Sequence, residues 1–122
     1  MSERRDRYYI EDLHAAIARI ERYTANLSRE QLEADEKTQD AVIRNLEVIG
    51  EAAKNVSAST RREHSNIPWK DLAGVRDKLI HHYFGVNLTI VWKIIRDELP
   101  PLLPQLDEVL SILVAEDEEK KN

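Results

Sequence analysis

Residues 36–58 read EKTQDAVIRNLEVIGEAAKNVSA, and within them Val42, Leu46, Ile49, Ala53 and Val56 recur in steps of four, three, four and three. That spacing puts one apolar stripe on a helix turning about 3.6 residues per turn, so the stretch predicts a long amphipathic helix from about Glu36 to Ala58. Gly50 lies inside it beside Ala52 and Ala53. A glycine costs about 1 kcal/mol in a helix interior, so this one predicts a place where another helix comes close.

The same periodicity extends in both directions. Upstream, Ile10, Leu13, Ile17 and Ile20 define a first helix from about Arg5 to Leu27, and Ser28 with Gln31 has the form of a capping box that starts a new segment. Downstream, residues 59–67 lose the pattern, and Pro68 suits the first position of a third helix, where its missing N–H would be unpaired anyway. That helix is expected to end near Gly85. Asn87 is positioned to cap a last helix whose stripe runs Leu88, Trp92, Ile95, Leu99, Leu102, Leu106, Val109 and Leu113. Pro100 and Pro101 each lack a backbone donor, which predicts a kink near Leu99 with the stripe carried across it. The sum is an all-α, up-and-down bundle of four main helices, with no strand pattern and no internal repeat.

Composition narrows the function. The chain has 122 residues, 42% hydrophobic and 34% charged, with no cysteine. This fits one helical domain over residues 1–115 and excludes disulfides, thiolate zinc sites and a cysteine nucleophile. No apolar stretch approaches the roughly 20 residues that span a bilayer, and the N-terminus lacks a signal-peptide core, so a cytoplasmic location without membrane contact is expected. The net charge of −5 argues against broad, charge-driven coating of nucleic acid but allows a local basic site. The acidic run Glu116-Asp117-Glu118-Glu119 reads as a solvated, disordered tail over 116–122.

Chemistry concentrates in residues 76–83, Arg-Asp-Lys-Leu-Ile-His-His-Tyr. Arginine binds phosphate through a rigid fork of donors, and histidine exchanges protons near neutral pH. With Leu72 set at zero and about 100° per residue, Arg76 falls at about 40°, inside the apolar arc. A guanidinium there needs a structural carboxylate such as Glu47 or Glu51, or a bound anion. His81 falls near 180°, about 140° from Arg76, so the two side chains of one straight helix diverge. They converge if the helix unwinds before Gly85, if arginine's reach compensates, or if a second chain brings its own copy alongside. His82, near 280°, reads as packed or hydrogen-bonded. Tyr83 is either a helix-end aromatic on the core or a group that orients a phosphate or base.

Other constellations are weaker. Glu11 and His14 form a single Glu-x-x-His pair, whereas a di-iron bundle needs two with further carboxylates, so a surface pair is expected. Arg61, Arg62 and His64 form a small basic group before the third helix. Zinc-protease, P-loop and serine-hydrolase motifs are absent.

The string Arg76-x4-His81-x-Tyr83 resembles the motif of the HepT-like branch of the HEPN superfamily. Ile49-Gly50-Glu51-Ala52, Ile67-Pro68-Trp69 leading into Gly74-Val75-Arg76, and Val91-Trp92 with Leu99-Pro100 look like landmarks of the same family, over roughly residues 8–110. The resemblance implies a homodimeric endoribonuclease that needs no metal or other cofactor and acts as the toxin of a toxin–antitoxin pair, with a nucleotidyltransferase of the MntA type as antitoxin. It implies Arg76 and His81 as catalytic residues meeting in a cleft between protomers, and Tyr83 as the hydroxyl that receives AMP. Asp77 follows the family habit of a polar residue after the arginine, and Glu51 and His82 are expected in support. A non-catalytic module that docks a nucleotidyltransferase or a nucleotide is the competing reading.

Overall fold

A computed structural model describes residues 2–75, 77, 78 and 88–121, which are helical apart from short turns, with no strand among the described residues. The first helix, α1 (Ser2–Thr24), buries Ile10, Leu13, Ile17 and Ile20 as the stripe requires. It ends three residues earlier than the predicted Leu27. Arg96, far along the chain, donates from Nη2 to the Thr24 carbonyl at 3.2 Å and also to that of Leu27. Thr24 O also accepts from Leu27 N at 3.1 Å, so Arg96 adds a side-chain donor to the turn that closes the helix. The short α2 (Arg29–Glu33) carries the predicted capping box: Ser28 Oγ accepts from Gln31 N at 3.1 Å, and Gln31 Oε1 accepts from Ser28 N at 2.8 Å.

The long α3 (Glu36–Asn55) starts at Asp35, whose carboxylate accepts from the backbone N–H and the hydroxyl of Thr38. Those bonds hold the Asp35 carboxyl below its ordinary range, the hydroxyl bond contributing most. Val42, Leu46, Ile49 and Ala53 are buried along α3, and α1 packs against it lengthwise. Buried Asn45 is satisfied on both ends, accepting from Arg19 Nε and donating to the Ala41 carbonyl, each at 2.8 Å.

The structure departs from the expected pattern at residues 56–63. Here α3 stops at Asn55 instead of Ala58, Val56 turns extended, and a further helix, α4 (Ala58–Glu63), follows. The cause is Asp6 of α1, only 1% exposed. Its carboxylate accepts from Ser57 N at 2.8 Å, Ser57 Oγ at 2.5 Å and Thr60 Oγ1 at 2.6 Å. A carboxylate at a helix start pairs with donors that have no intrahelical partner and with the positive end of the dipole.

Pro68 precedes α5 (Trp69–Ala73) as its N-cap, so the helix starts one residue later than the predicted Pro68. The helix pauses at Gly74, whose N–H bonds to the Lys70 carbonyl at 3.0 Å. Helical structure returns at Val75, Asp77 and Lys78, with Lys78 N on the Gly74 carbonyl at 3.1 Å. The expected end near Gly85 and the cap at Asn87 lie outside the described residues.

The last segment bends where predicted, with an added feature. After α6 (Leu88–Lys93) the chain widens into a π-helical turn, Ile94–Glu98, closed by Leu99 N on the Ile94 carbonyl at 3.0 Å. It then turns through Pro100-Pro101 into α7 (Leu102–Lys121). A π turn inserts one extra residue, so Val91 and Ile94 join Ile95 in the core while Trp92 is only half-buried beneath Arg96, whose guanidinium carbon stands 4.4 Å from its ring centre. The stripe Leu99, Leu102, Leu106, Val109 and Leu113 continues buried through α7, which packs on α1.

The acidic run 116–119 departs from the expected disordered tail, because α7 runs on through it to Lys121. Arg7 of α1 explains this. It donates to Asp117 Oδ2 at 3.3 Å and to Glu11 Oε1 at 3.0 Å, and the two carboxylates, Glu11 foremost, raise its pKa. The expectation of an all-α bundle of four main helices holds. No described helix is long and apolar enough to cross a membrane.

Candidate functional site

The approach to the 76–83 motif is built from three elements. Trp69 opens α5 with its ring buried and its Nε1–H on the His64 carbonyl at 3.0 Å, which ties α5 to the end of α4. Leu72 and Val75 turn into the core. On the facing helix, Gly50 permits close approach: a methyl carbon placed there would stand 3.5 Å from Val75 Cγ1 and 3.6 Å from the carbonyl oxygens of Leu72 and Ala73. The predicted role of Gly50 is therefore met by the backbone of α5 itself.

This contact leaves a groove of about 370 Å³ between α3 and α5. Gly50, Ala73 and Gly74 line it with Lys54, Lys70, Glu51 and Asp77. The structure thus brings together two of the predicted supporting residues, Glu51 and Asp77, on one groove. Both are exposed. Glu51 Oε1 accepts only a long bond of 3.4 Å from Asn55 Nδ2, and Glu47, the other carboxylate considered for Arg76, sits 3.7 Å from Arg44. Arg76, His81, His82 and Tyr83 lie outside the described residues.

Sequence reasoning had no means of finding Lys54 and Lys70 as neighbours. They are 16 positions apart, and only the packing of α5 on Gly50 brings them to one groove. The remaining candidates resolve as surface chemistry. Glu11 pairs with Arg7, and His14 Nε2 stands 2.8 Å from Asp107 Oδ1. No group of three or more metal-ligating side chains comes together among the described residues. Arg61 and His64 are half-buried, with Arg61 Nε and His64 Nε2 shut off from solvent and without a hydrogen-bond partner among the described residues, and Arg62 is exposed.

An all-α frame with a Gly-lined helix contact leading into Arg-x4-His-x-Tyr defines a HEPN-type helical domain. The chain matches the family described as Ribonuclease HepT-like over residues 13–109 and belongs to it. It is 45% identical over 101 residues to the "Probable ribonuclease HepT" of Thermococcus cleftensis, covering 83% of this chain and 92% of that protein. It is also 39% identical over 112 residues to the "Putative RNase MJ0127" of Methanocaldococcus jannaschii, covering 92% of this chain and 93% of the relative. No solved structure matches.

Proposed function

We propose that this protein is a metal-independent endoribonuclease, the toxin of a type VII toxin–antitoxin pair of the HepT/MntA kind. The observation that carries the reading is the complete motif Arg76-x4-His81-x-Tyr83 in a chain that belongs to the HepT-like family. RNA supplies its own nucleophile. The 2′-hydroxyl attacks the adjacent phosphorus, the bond to the 5′-oxygen of the next nucleotide breaks, and the products end in a cyclic phosphate and a 5′-hydroxyl. Such a reaction needs a proton acceptor, a proton donor for the leaving oxygen, and positive charge beside the phosphoryl oxygens. His81 takes the proton-transfer role and Arg76 the charge role.

The angular separation that helical spacing predicts for Arg76 and His81 favours a site shared by two protomers of a homodimer, with Arg76 from one chain and His81 from its partner on one phosphate. Tyr83, two residues beyond His81, is the acceptor for AMP from an MntA-like nucleotidyltransferase. The added bulk and negative charge there would keep an RNA phosphate out of the cleft.

The test incubates purified protein with labelled RNA in the presence of chelator, beside Arg76→Ala and His81→Ala. Cleavage by the wild type is expected, with losses of about 10²–10⁴-fold in each variant. Mixing the two inactive variants should restore activity, since one cleft of the mixed dimer receives both intact groups. Equal inactivity of wild type and both variants would refute the nuclease and leave a binding module. Co-expression with the nucleotidyltransferase should add the mass of AMP to the wild type and none to Tyr83→Phe.

A further inference from the structure

The groove between α3 and α5 holds two lysines from different helices, Lys54 and Lys70. Both are exposed, and neither has an ion pair with a described residue. Lys54 and Lys70 share that concave surface with Glu51 and Asp77, so its lining sets two cations beside two carboxylates. The floor is Gly50, Ala73 and Gly74, so no long side chain fills the space between the ammonium groups. Glu51 lies three residues before Lys54 on α3 and Asp77 seven residues after Lys70, and among the described residues Glu51 Oε1 accepts a long bond of 3.4 Å from Asn55 Nδ2.

We infer that this groove holds one ribonucleotide of the RNA strand beside the scissile position, with its phosphates on Lys54 and Lys70 and its hydroxyl or amino donors on Glu51 and Asp77. The inference rests on the nuclease reading above and adds a binding subsite to it. A plain anion site would not place two carboxylates on the rim, because they would repel it. A nucleotide presents both anionic oxygens and neutral donors, which matches the mixed lining. The volume of about 370 Å³ lies within the roughly 300–1,000 Å³ of small-ligand sites.

Position along the chain supports the same assignment. Asp77 is the residue after Arg76, so the groove begins about 3.8 Å of backbone from the motif. Lys70, Gly74 and Asp77 line the groove in chain order, so its lining runs up to the residue that follows Arg76. A strand lying in the groove therefore leads to the start of the motif. Lys54 and Lys70 act as positioning residues in this arrangement, binding substrate away from the reacting phosphorus.

The experiment measures binding of a fluorescein-labelled single-stranded RNA as a function of salt; 2′-O-methylation makes it uncleavable and keeps the phosphates and base amino groups that the groove is to hold. Each phosphate contact on a single strand contributes about 0.7 to the slope of log affinity against log salt. The double variant Lys54→Gln/Lys70→Gln should lower that slope by about 1.4. The control Arg44→Gln/Lys93→Gln removes the same net charge away from the groove and should leave the slope unchanged. With cleavable RNA, the groove variant should raise KM while kcat stays within about twofold, as loss of uniform substrate binding requires. An unchanged slope in the groove variant, with wild-type cleavage intact, would overturn this inference alone. A wild type that neither binds nor cleaves would overturn the nuclease reading and this subsite with it.

Discussion

Replacing Asp6 with alanine should cost this fold more than any single apolar truncation at its surface. The carboxylate is 1% exposed and accepts from three donors: Ser57 N at 2.8 Å, Ser57 Oγ at 2.5 Å and Thr60 Oγ1 at 2.6 Å. Hydrogen bonds to a charged group contribute about 1.5–3 kcal/mol each, and partial rehydration of the freed donors recovers some of the loss. Desolvation of the carboxylate itself also offsets part of the gross sum. A net loss of about 3–5 kcal/mol follows. For a chain between the small and mid-sized domains this lowers Tm by roughly 10–20 °C. Urea unfolding at fixed protein concentration would read it directly from the midpoint.

The isosteric Asp6→Asn retains one acceptor oxygen and should lose about 2–3 kcal/mol. A double-mutant cycle with Ser57→Ala should return a coupling of about 1 kcal/mol, because it removes the Ser57 Oγ donor to that carboxylate and keeps the backbone one. In a Trp92→Phe background the emission of Trp69 should shift, since α4 carries His64, whose carbonyl holds the indole N–H. Asp6→Ala within about 1 kcal/mol of wild type, with no coupling to Ser57, would refute the account of α4 as a helix started by a distant carboxylate.

Other expectations follow from the same geometry. Gly50→Ala should stabilise the protein by roughly 0.5–1 kcal/mol in urea, because the added methyl meets only ordinary contacts at 3.5–3.6 Å; Gly50→Leu should instead destabilise by about 1–3 kcal/mol by forcing α5 away. Arg96→Ala removes a donor from the carbonyls of Thr24 and Leu27 and uncovers Trp92, and should cost about 1–2 kcal/mol with faster hydrogen exchange in the last turn of α1. The Asp35 carboxyl is held below its ordinary 3.8 by Thr38, so its contribution is fully present above that value and is lost as pH falls through the lowered one. Asp35→Asn should therefore be less stable than wild type near neutrality and converge with it as acid protonates the Asp35 carboxyl.

The parts of the fold that were legible in the sequence rest on local regularity. The stripes of α1 and α3, the Ser28–Gln31 box and the bend at Pro100-Pro101 depend on residues within a few positions of one another, and the structure keeps them all. Departures occur where a partner is far away in the chain. The short α4 depends on Asp6, the end of α1 on Arg96, and the helical state of the acidic run on Arg7. The π turn is a local departure of another kind, since the prolines that follow it remove two donors and the ladder regroups before them. For the site, the motif itself was readable because its residues are nearly contiguous. The groove was not, because Lys54 and Lys70 become neighbours only through the packing of α5 on Gly50.

Helix α1 is fastened at both extremities by side chains and donors made much later: Ser57 and Thr60 for one end, Arg96 for the other. On the ribosome, the first helix therefore emerges with neither end secured. Closure must wait until Arg96 has cleared the exit tunnel, by which time the whole 76–83 motif has already been synthesised. The two fastenings therefore become available in turn, Ser57 and Thr60 first and Arg96 last, and a fragment truncated before Arg96 lacks the side-chain donor at the end of its opening helix.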